Sequence, residues 1–207
     1  MQDKIDISEL RQITFSDKSA KALTEALADP KSKLGVGSIA ALSSAEAAAL
    51  MLRAVRCCPS DDPAMIKADA DLEKLRTYFV HLIDEENKAK LPLEKRLGRD
   101  DVPEIELEAA YKTACIIVTE VLYSTITLIE VSDGIADKIC DCCAASSAAA
   151  LFLARSALED CRLLLAGYAS KMKDEVTAHT TRREPELAID GISDKLNALI
   201  KKLEAKI

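Results

Sequence analysis

Residues 23–56 read LTEALADPKSKLGVGSIAALSSAEAAALMLRAVR, and the fold turns on how this stretch is punctuated. A helical segment ends at Pro30, Gly35-Val36-Gly37-Ser38 forms a short loop, and a small-residue helix follows to Val55 or Arg56 with Ser38 as its cap. A backbone poor in side chains is thus delivered to a helix N-terminus, where unpaired N–H groups and the positive end of the dipole suit an anionic or carbonyl-bearing ligand. Ala40, Ala41, Ala45, Ala48 and Ala49 put small groups on several faces of that helix. Neighbours can approach it closely, which predicts a place at the centre of a helical bundle.

Composition supports one all-α domain spanning residues 1–207. The chain has 207 residues, 49% of them apolar and only 3% aromatic, enough for a sizeable core of closely packed aliphatic helices. A net charge of −7, with no basic cluster and few aromatic platforms, argues against nucleic acid. The N-terminus is charged from Asp3 onward and lacks the apolar core of a signal peptide. The uncharged run 142–154 is too short to span a bilayer. These features lead us to expect a cytoplasmic protein with no membrane partner.

Seven cysteines in a leaderless chain fit free thiols in a reducing compartment. Cys142 and Cys143 are adjacent, and adjacent residues on a helix point about 100° apart, which argues against a metal cluster at Cys140, Cys142 and Cys143. Small buried apolar side chains are the expected role, with no metal site.

In chain order, residues 5–15 form a short amphipathic lead-in, and Ser16-Asp17 offers a cap for the helix carrying Ala22, Leu23 and Leu27. A break at Pro59–Pro63 precedes a helix over about 64–88, striped by Leu72, Leu75, Phe79, Leu82 and Ile83. Residues 91–103 read as a loop, and 104–131 as helix closed by Gly134 in a left-handed cap. A second small-residue helix spans 137–171. Residues 179–185 read as a polar linker before a closing amphipathic helix over 186–207.

The 23–56 stretch resembles the N-terminal signature of the formiminotransferase-cyclodeaminase C-terminal domain family, in register over about thirty residues. Leu82-Ile83-Asp84-Glu85-Glu86 is similar to the family's LIDED motif. Glu106–Thr119 lies over the AIQxALKxATxVPL segment, and Cys140–Cys161 over the segment ending in ARAAL, here Ala154-Arg155-Ser156-Ala157-Leu158. That register puts Glu108 at the family's Gln, Val118 at its proline, Ser146 at its Asp, and Cys140 and Cys142 at its asparagines. The basic run after the glycine-loop helix falls near Ser60-Asp61-Asp62, and Lys67 is the nearest lysine.

The resemblance implies a bundle of long helices with a glycine-rich loop, assembled as an intimate homodimer. It also implies deamination of 5-formiminotetrahydrofolate with ring closure, or hydrolysis of the methenyl bridge, on a tetrahydrofolate substrate without a tightly bound cofactor. Such chemistry needs a proton donor and acceptor, for which a lysine–carboxylate pair in a dehydrated cleft is suited. The candidates are Asp141, Glu108, Lys67 and Asp84 as ionisable groups, with Gly35, Val36, Gly37, Ser38 and Ser146 around the ligand. Asp84 reads equally as a solvated acidic group, Lys67 as a surface cation, and Asp141 as a favourable charge at a helix start. Two alternatives stay open: the same fold serving another ligand, and a homo-oligomeric scaffold without catalysis.

Overall fold

The computed structural model describes residues 14–207, and among these it is all helix and turn. Most of the expected lead-in at 5–15 therefore lies outside the described residues. Six α-helices follow: α1 Ala20–Ala28, α2 Val36–Cys57, α3 Pro63–Glu94, α4 Glu104–Asp133, α5 Asp141–Ala169 and α6 Glu175–Glu204, with a 3₁₀ turn at Ala136–Lys138.

The five long helices run alternately up and down. Ser38 at the start of α2 meets Ile83 and Glu86 late in α3, while Arg56 at its end meets Asp69 and Glu73 early in α3. The two helices are therefore antiparallel. Cys58, just past α2, lies against Cys140 at the head of α5, so α5 returns along α2 in the same sense as α3. Lys112 of α4 pairs with Asp174 at the head of α6, and Lys206 near the other end of α6 donates to carbonyls of the Ala136–Ile139 turn.

Small side chains decide the centre. Ala40, Ala41, Ala47, Ala48 and Ala54 of α2 are fully buried, and α2 packs along α3 and α5 while also touching α4. Ala144, Ala150, Ala154 and Ala157 do the same on α5. Inside this apolar contact, Ser44 of α2 and Thr125 of α4 share a hydrogen bond at 2.7 Å, with Ser44 also bonded to the Ala40 carbonyl and Thr125 to that of Val121. Val36–Cys57 and Glu104–Asp133 are long and apolar enough to cross a membrane by length and composition; in the bundle, 61% of the most apolar window of α2 is buried against its neighbours.

Several boundaries depart from the sequence reading for local reasons. Ser19, not Ser16 or Asp17, caps α1 by accepting from Ala22 N. Gly35 is the extended residue before α2, which places Ser38 inside the helix rather than at its cap. The α3 helix runs on to Glu94 with Pro92 inside its last turn, where the ring removes one backbone hydrogen bond to the carbonyl four residues back while Leu91 and Leu93 on either side stay buried. Gly134 is right-handed, and Gly98 holds the positive φ of 78° in the α3–α4 connection. The polar stretch 179–185 is helical within α6, its exposed residues forming a solvated face and Pro185 turning inward to the core. The α5 helix starts only at Asp141, after the 3₁₀ turn.

The cysteines divide by environment. Cys115, Cys143 and Cys161 are buried as expected, whereas Cys58 and Cys140 are half-buried and Cys57 and Cys142 exposed. Hydrogen bonds from the Cys142 and Cys58 thiols hold Cys140 down to about 7, and burial pushes Cys115 up to about 12. The thiolate is the alkylating nucleophile, so a lowered value brings reactivity at lower pH. Iodoacetamide mapping by mass spectrometry should show Cys140 labelled with a midpoint near pH 7, with Cys115 and Cys161 protected until the chain unfolds.

Candidate functional site

The α3 stripe of Phe79, Leu82 and Ile83 continues at the same spacing into Glu86, Asn87 and Lys90. These polar side chains face the core: Glu86 is 2% exposed and Lys90 7%. Their ammonium and carboxylate pair at 3.2 Å. Ser38 Oγ lies 2.7 Å from Glu86 Oε2 and 3.1 Å from the Ile83 carbonyl, so its proton is shared between two acceptors on α3.

The glycines permit this approach. A methyl group on Gly37 would sit 2.7 Å from Glu86 Cγ and 2.8 Å from its Cδ, closer than real Cβ contacts come. One on Gly35 would sit 2.7 Å from Lys90 Nζ, a flexible chain end that can move aside. Gly37 is thus required by close packing of helix backbone on a carboxylate. The first turn of α2 brings free N–H groups and the positive dipole end to the buried pair.

Around the pair, Asn87 donates to the Ile83 carbonyl at 2.9 Å, while its Oδ1 is buried with no hydrogen-bond partner among the described residues. Tyr168 of α5 stacks obliquely on Tyr111 of α4 with ring centroids 6.1 Å apart. Burial and then the field of Glu86 raise the Tyr168 phenol well above its ordinary range, keeping it a neutral donor. The Cys161 thiol is raised mainly by burial, with Asp160 and Glu86 adding to it. Lys33 with Glu94, and Arg96 with Glu106, form charge pairs in the segments flanking this end.

The residues expected from the sequence are distributed unevenly. Gly35, Gly37 and Ser38 meet at the pair, and Val36 between them is half-exposed. Glu108 lies at the same end of the bundle; its Oε2 accepts from Lys173 N at 3.0 Å, and its Oε1 is buried without a hydrogen-bond partner among the described residues. Asp84 turns instead to the chain before α1, accepting from Phe15 N at 2.6 Å and from the Ser16 hydroxyl at 2.5 Å. Lys67 lies about five helical turns before Glu86, roughly 28 Å along the axis. It lines a separate cavity of about 310 Å³ with Asp71, Thr127 and Ile135. Asp141 and Ser146 belong to the opposite end too, where Asp141 opens α5 and Ser146 Oγ bonds the Cys143 carbonyl. The antiparallel course of α5 brings Cys161 and Tyr168, not the 144–150 run, toward Gly35.

On sequence, Glu86 figures only as part of a motif and Lys90 not at all, because an acidic and basic run near an expected helix end looks solvated. The signal was present: both sit at the period of the preceding apolar stripe.

Fold and site together define an all-α bundle with a buried lysine–carboxylate pair beneath a glycine-started helix. The family model described as formiminotransferase-cyclodeaminase matches residues 19–186, and the chain belongs to that family. The crystal structure of formiminotetrahydrofolate cyclodeaminase from Thermotoga maritima resembles it with a TM-score of 0.77 at 16% identity, over 92% of this chain and 96% of that one. The likeness at that identity is one of fold. No curated protein matches the chain.

Removing one member of a buried ion pair leaves an uncompensated charge, a loss of about 3–5 kcal/mol. Lys90→Met should therefore lower the urea-unfolding free energy by that order, with most of it recovered in the double variant Glu86→Met/Lys90→Met. Gly37→Ala should lose about 1–3 kcal/mol through overpacking. Equal stability of Lys90→Met and the native chain would contradict the burial of this pair.

Proposed function

We propose that the chain is a folate-dependent cyclodeaminase or cyclohydrolase in which Lys90 and Glu86 handle the protons. The observation that carries this reading is the buried Lys90–Glu86 pair against Gly35, Gly37 and Ser38. It supplies the lysine and carboxylate that the aligned positions lacked, from a different place in the chain.

In deamination, N10 of 5-formiminotetrahydrofolate forms a bond to the formimino carbon, the carbon–imino nitrogen bond breaks, and ammonia leaves. The N10 proton must be taken up, and the departing nitrogen must be protonated. Glu86 suits the first role and Lys90 the second, because a low-dielectric setting strengthens each group's influence on the other. Asn87 Oδ1 offers an open acceptor and Tyr168 a neutral donor to hold the pterin or the one-carbon unit. Glu108, at the same end, is a further carboxylate for the substrate. The hydrolytic variant of the reaction uses the same pair to deprotonate water and protonate the released nitrogen.

Family membership also motivates a cytoplasmic homodimer, with the outward Ile116 and Tyr123 of α4 as apolar surface for a second copy. The same fold serving a different ligand is the second reading, favoured by the Gly35–Ser38 helix start, which suits any anionic or carbonyl-bearing ligand.

The deciding measurement is ammonia release from 5-formiminotetrahydrofolate, alongside calorimetric titration of tetrahydrofolates. Glu86→Gln and Lys90→Met should each reduce turnover by on the order of 10²–10⁴-fold, the contribution of a positioned acid or base. Lys67→Ala and Asp141→Asn should leave it near the native level. No folate binding at millimolar concentration would remove the folate reading, and full activity in Glu86→Gln would remove the assigned pair.

A further inference from the structure

At the end of the bundle opposite Gly35, about 30 Å away along α2, two distant parts of the chain bring thiols face to face. Cys58 follows α2, Cys140 caps α5, and Cys143 sits in its first turn. The three Sγ atoms all lie within 4.8 Å of one another, with Cys58 and Cys140 at 3.0 Å. Cys142 Sγ is 2.7 Å from that of Cys140 and 3.9 Å from that of Cys143. Bonds of about 2.3 Å in a tetrahedral zinc–thiolate site separate neighbouring sulfurs by about 3.8 Å, so the thiols need only small rotamer adjustments to share one ion.

The frame around them is fixed without an ion. Lys138 pairs with Asp62 at 2.5 Å and ties the segment before Cys140 to the segment after Cys58. Lys206 from α6 donates to the carbonyls of Ala136, Asp137 and Ile139 at 2.9, 3.2 and 2.8 Å. The backbone N–H of Cys140 donates to Cys58 Sγ at 3.2 Å, the kind of contact that orients a thiolate ligand. The N-terminal end of α5 favours negative charge on these sulfurs. Cys140 and Cys143 are separated by two residues, the ligand spacing of a metal knuckle, and it was the helical orientation expected of Cys140 that argued against this arrangement. As the extended cap it turns toward Cys58, a residue that no local motif could pair with it.

We propose that Cys58, Cys140 and Cys143 form a three-thiolate site for a thiophilic d¹⁰ cation, Zn²⁺ or Cu⁺, with Cys142 placed to fill a fourth position. Each ligand thiol gives its proton to solvent as a metal–sulfur bond forms, and no electron is transferred. Soft thiolates select these ions over Mg²⁺ or Ca²⁺. The bound ion would staple the end of α2 to the head of α5, far from the Lys90–Glu86 pair, and its test is independent of folate chemistry.

The experiment titrates the full-length reduced, chelator-treated protein with Zn²⁺ and, in a separate anaerobic arm, with Cu⁺, against a chromophoric competitor. Co²⁺ serves as a spectroscopic stand-in. The expected result is one equivalent bound, thiolate-to-metal charge-transfer absorption, a raised melting temperature, and protection of Cys140 from iodoacetamide. Stoichiometric binding in either arm that is lost with the ligand cysteines supports the site. Cys58→Ser and Cys140→Ser, half-buried positions whose folding is checked by circular dichroism, should each lose stoichiometric binding, while Cys57→Ser retains it. Binding that is unchanged in the Cys58→Ser/Cys140→Ser variant, or no charge-transfer band with Co²⁺, would overturn the site. So would recovery of a Cys58–Cys140 disulfide as the stable form under the reducing conditions of the titration.

Discussion

The contact of the Gly37 backbone with the Glu86 side chain is the constraint on which the functional end depends. A helix start with side chains would hold α3 away, and a carboxylate left in the resulting gap would draw in water. With glycine there, Ser38 bonds Glu86 and Lys90 closes over it, so a full charge pair survives at 2% and 7% exposure. Such a pair gives little net stability compared with apolar residues of the same size, because desolvation offsets much of the Coulomb attraction. Folding stability alone therefore does not account for its presence.

The same two helices need alanine elsewhere for the opposite reason. Along the middle of α2 no polar chemistry is required, and Ala40, Ala41, Ala47 and Ala48 let α3 and α5 pack against its backbone. The hydroxyls of Ser44 and Thr125 are tolerated there because each finds both the other and a carbonyl one turn back. Close packing at the centre fixes the axial register of α2 against α3, and that register sets Ser38 level with Glu86.

Much of the fold was legible in the sequence because periodicity and glycine or proline breaks act locally. The helical class and the central place of α2 both followed from residues within a few turns of one another. What escaped was of two kinds. Exposed helix and loop share a polar composition, so residues 179–185 looked like a linker, while Pro92 made the buried last turn of α3 look like a loop. Partners distant in sequence were invisible for a different reason: nothing near Cys140 announces Cys58, and nothing near Asp84 announces the Phe15 and Ser16 amides that occupy it. The motif alignment sought its lysine after α2 and found Lys67, whereas helix geometry places Lys90 at the glycine loop.

Antiparallel packing gives the two ends of the bundle related electrostatics. The α2 helix starts at one end and α5 at the other, and each start directs unpaired N–H groups at a cluster of ionisable side chains. At Gly35 the cluster is an ion pair whose two charges cancel, so it leaves the positive helix end largely uncompensated. At Cys140 the cluster consists of thiols, whose ionisation the helix start favours and whose charge a soft cation would neutralise. One backbone arrangement thus places a positive helix start at each end of the bundle, and the side chains facing it differ, an ion pair at Gly35 and thiols at Cys140.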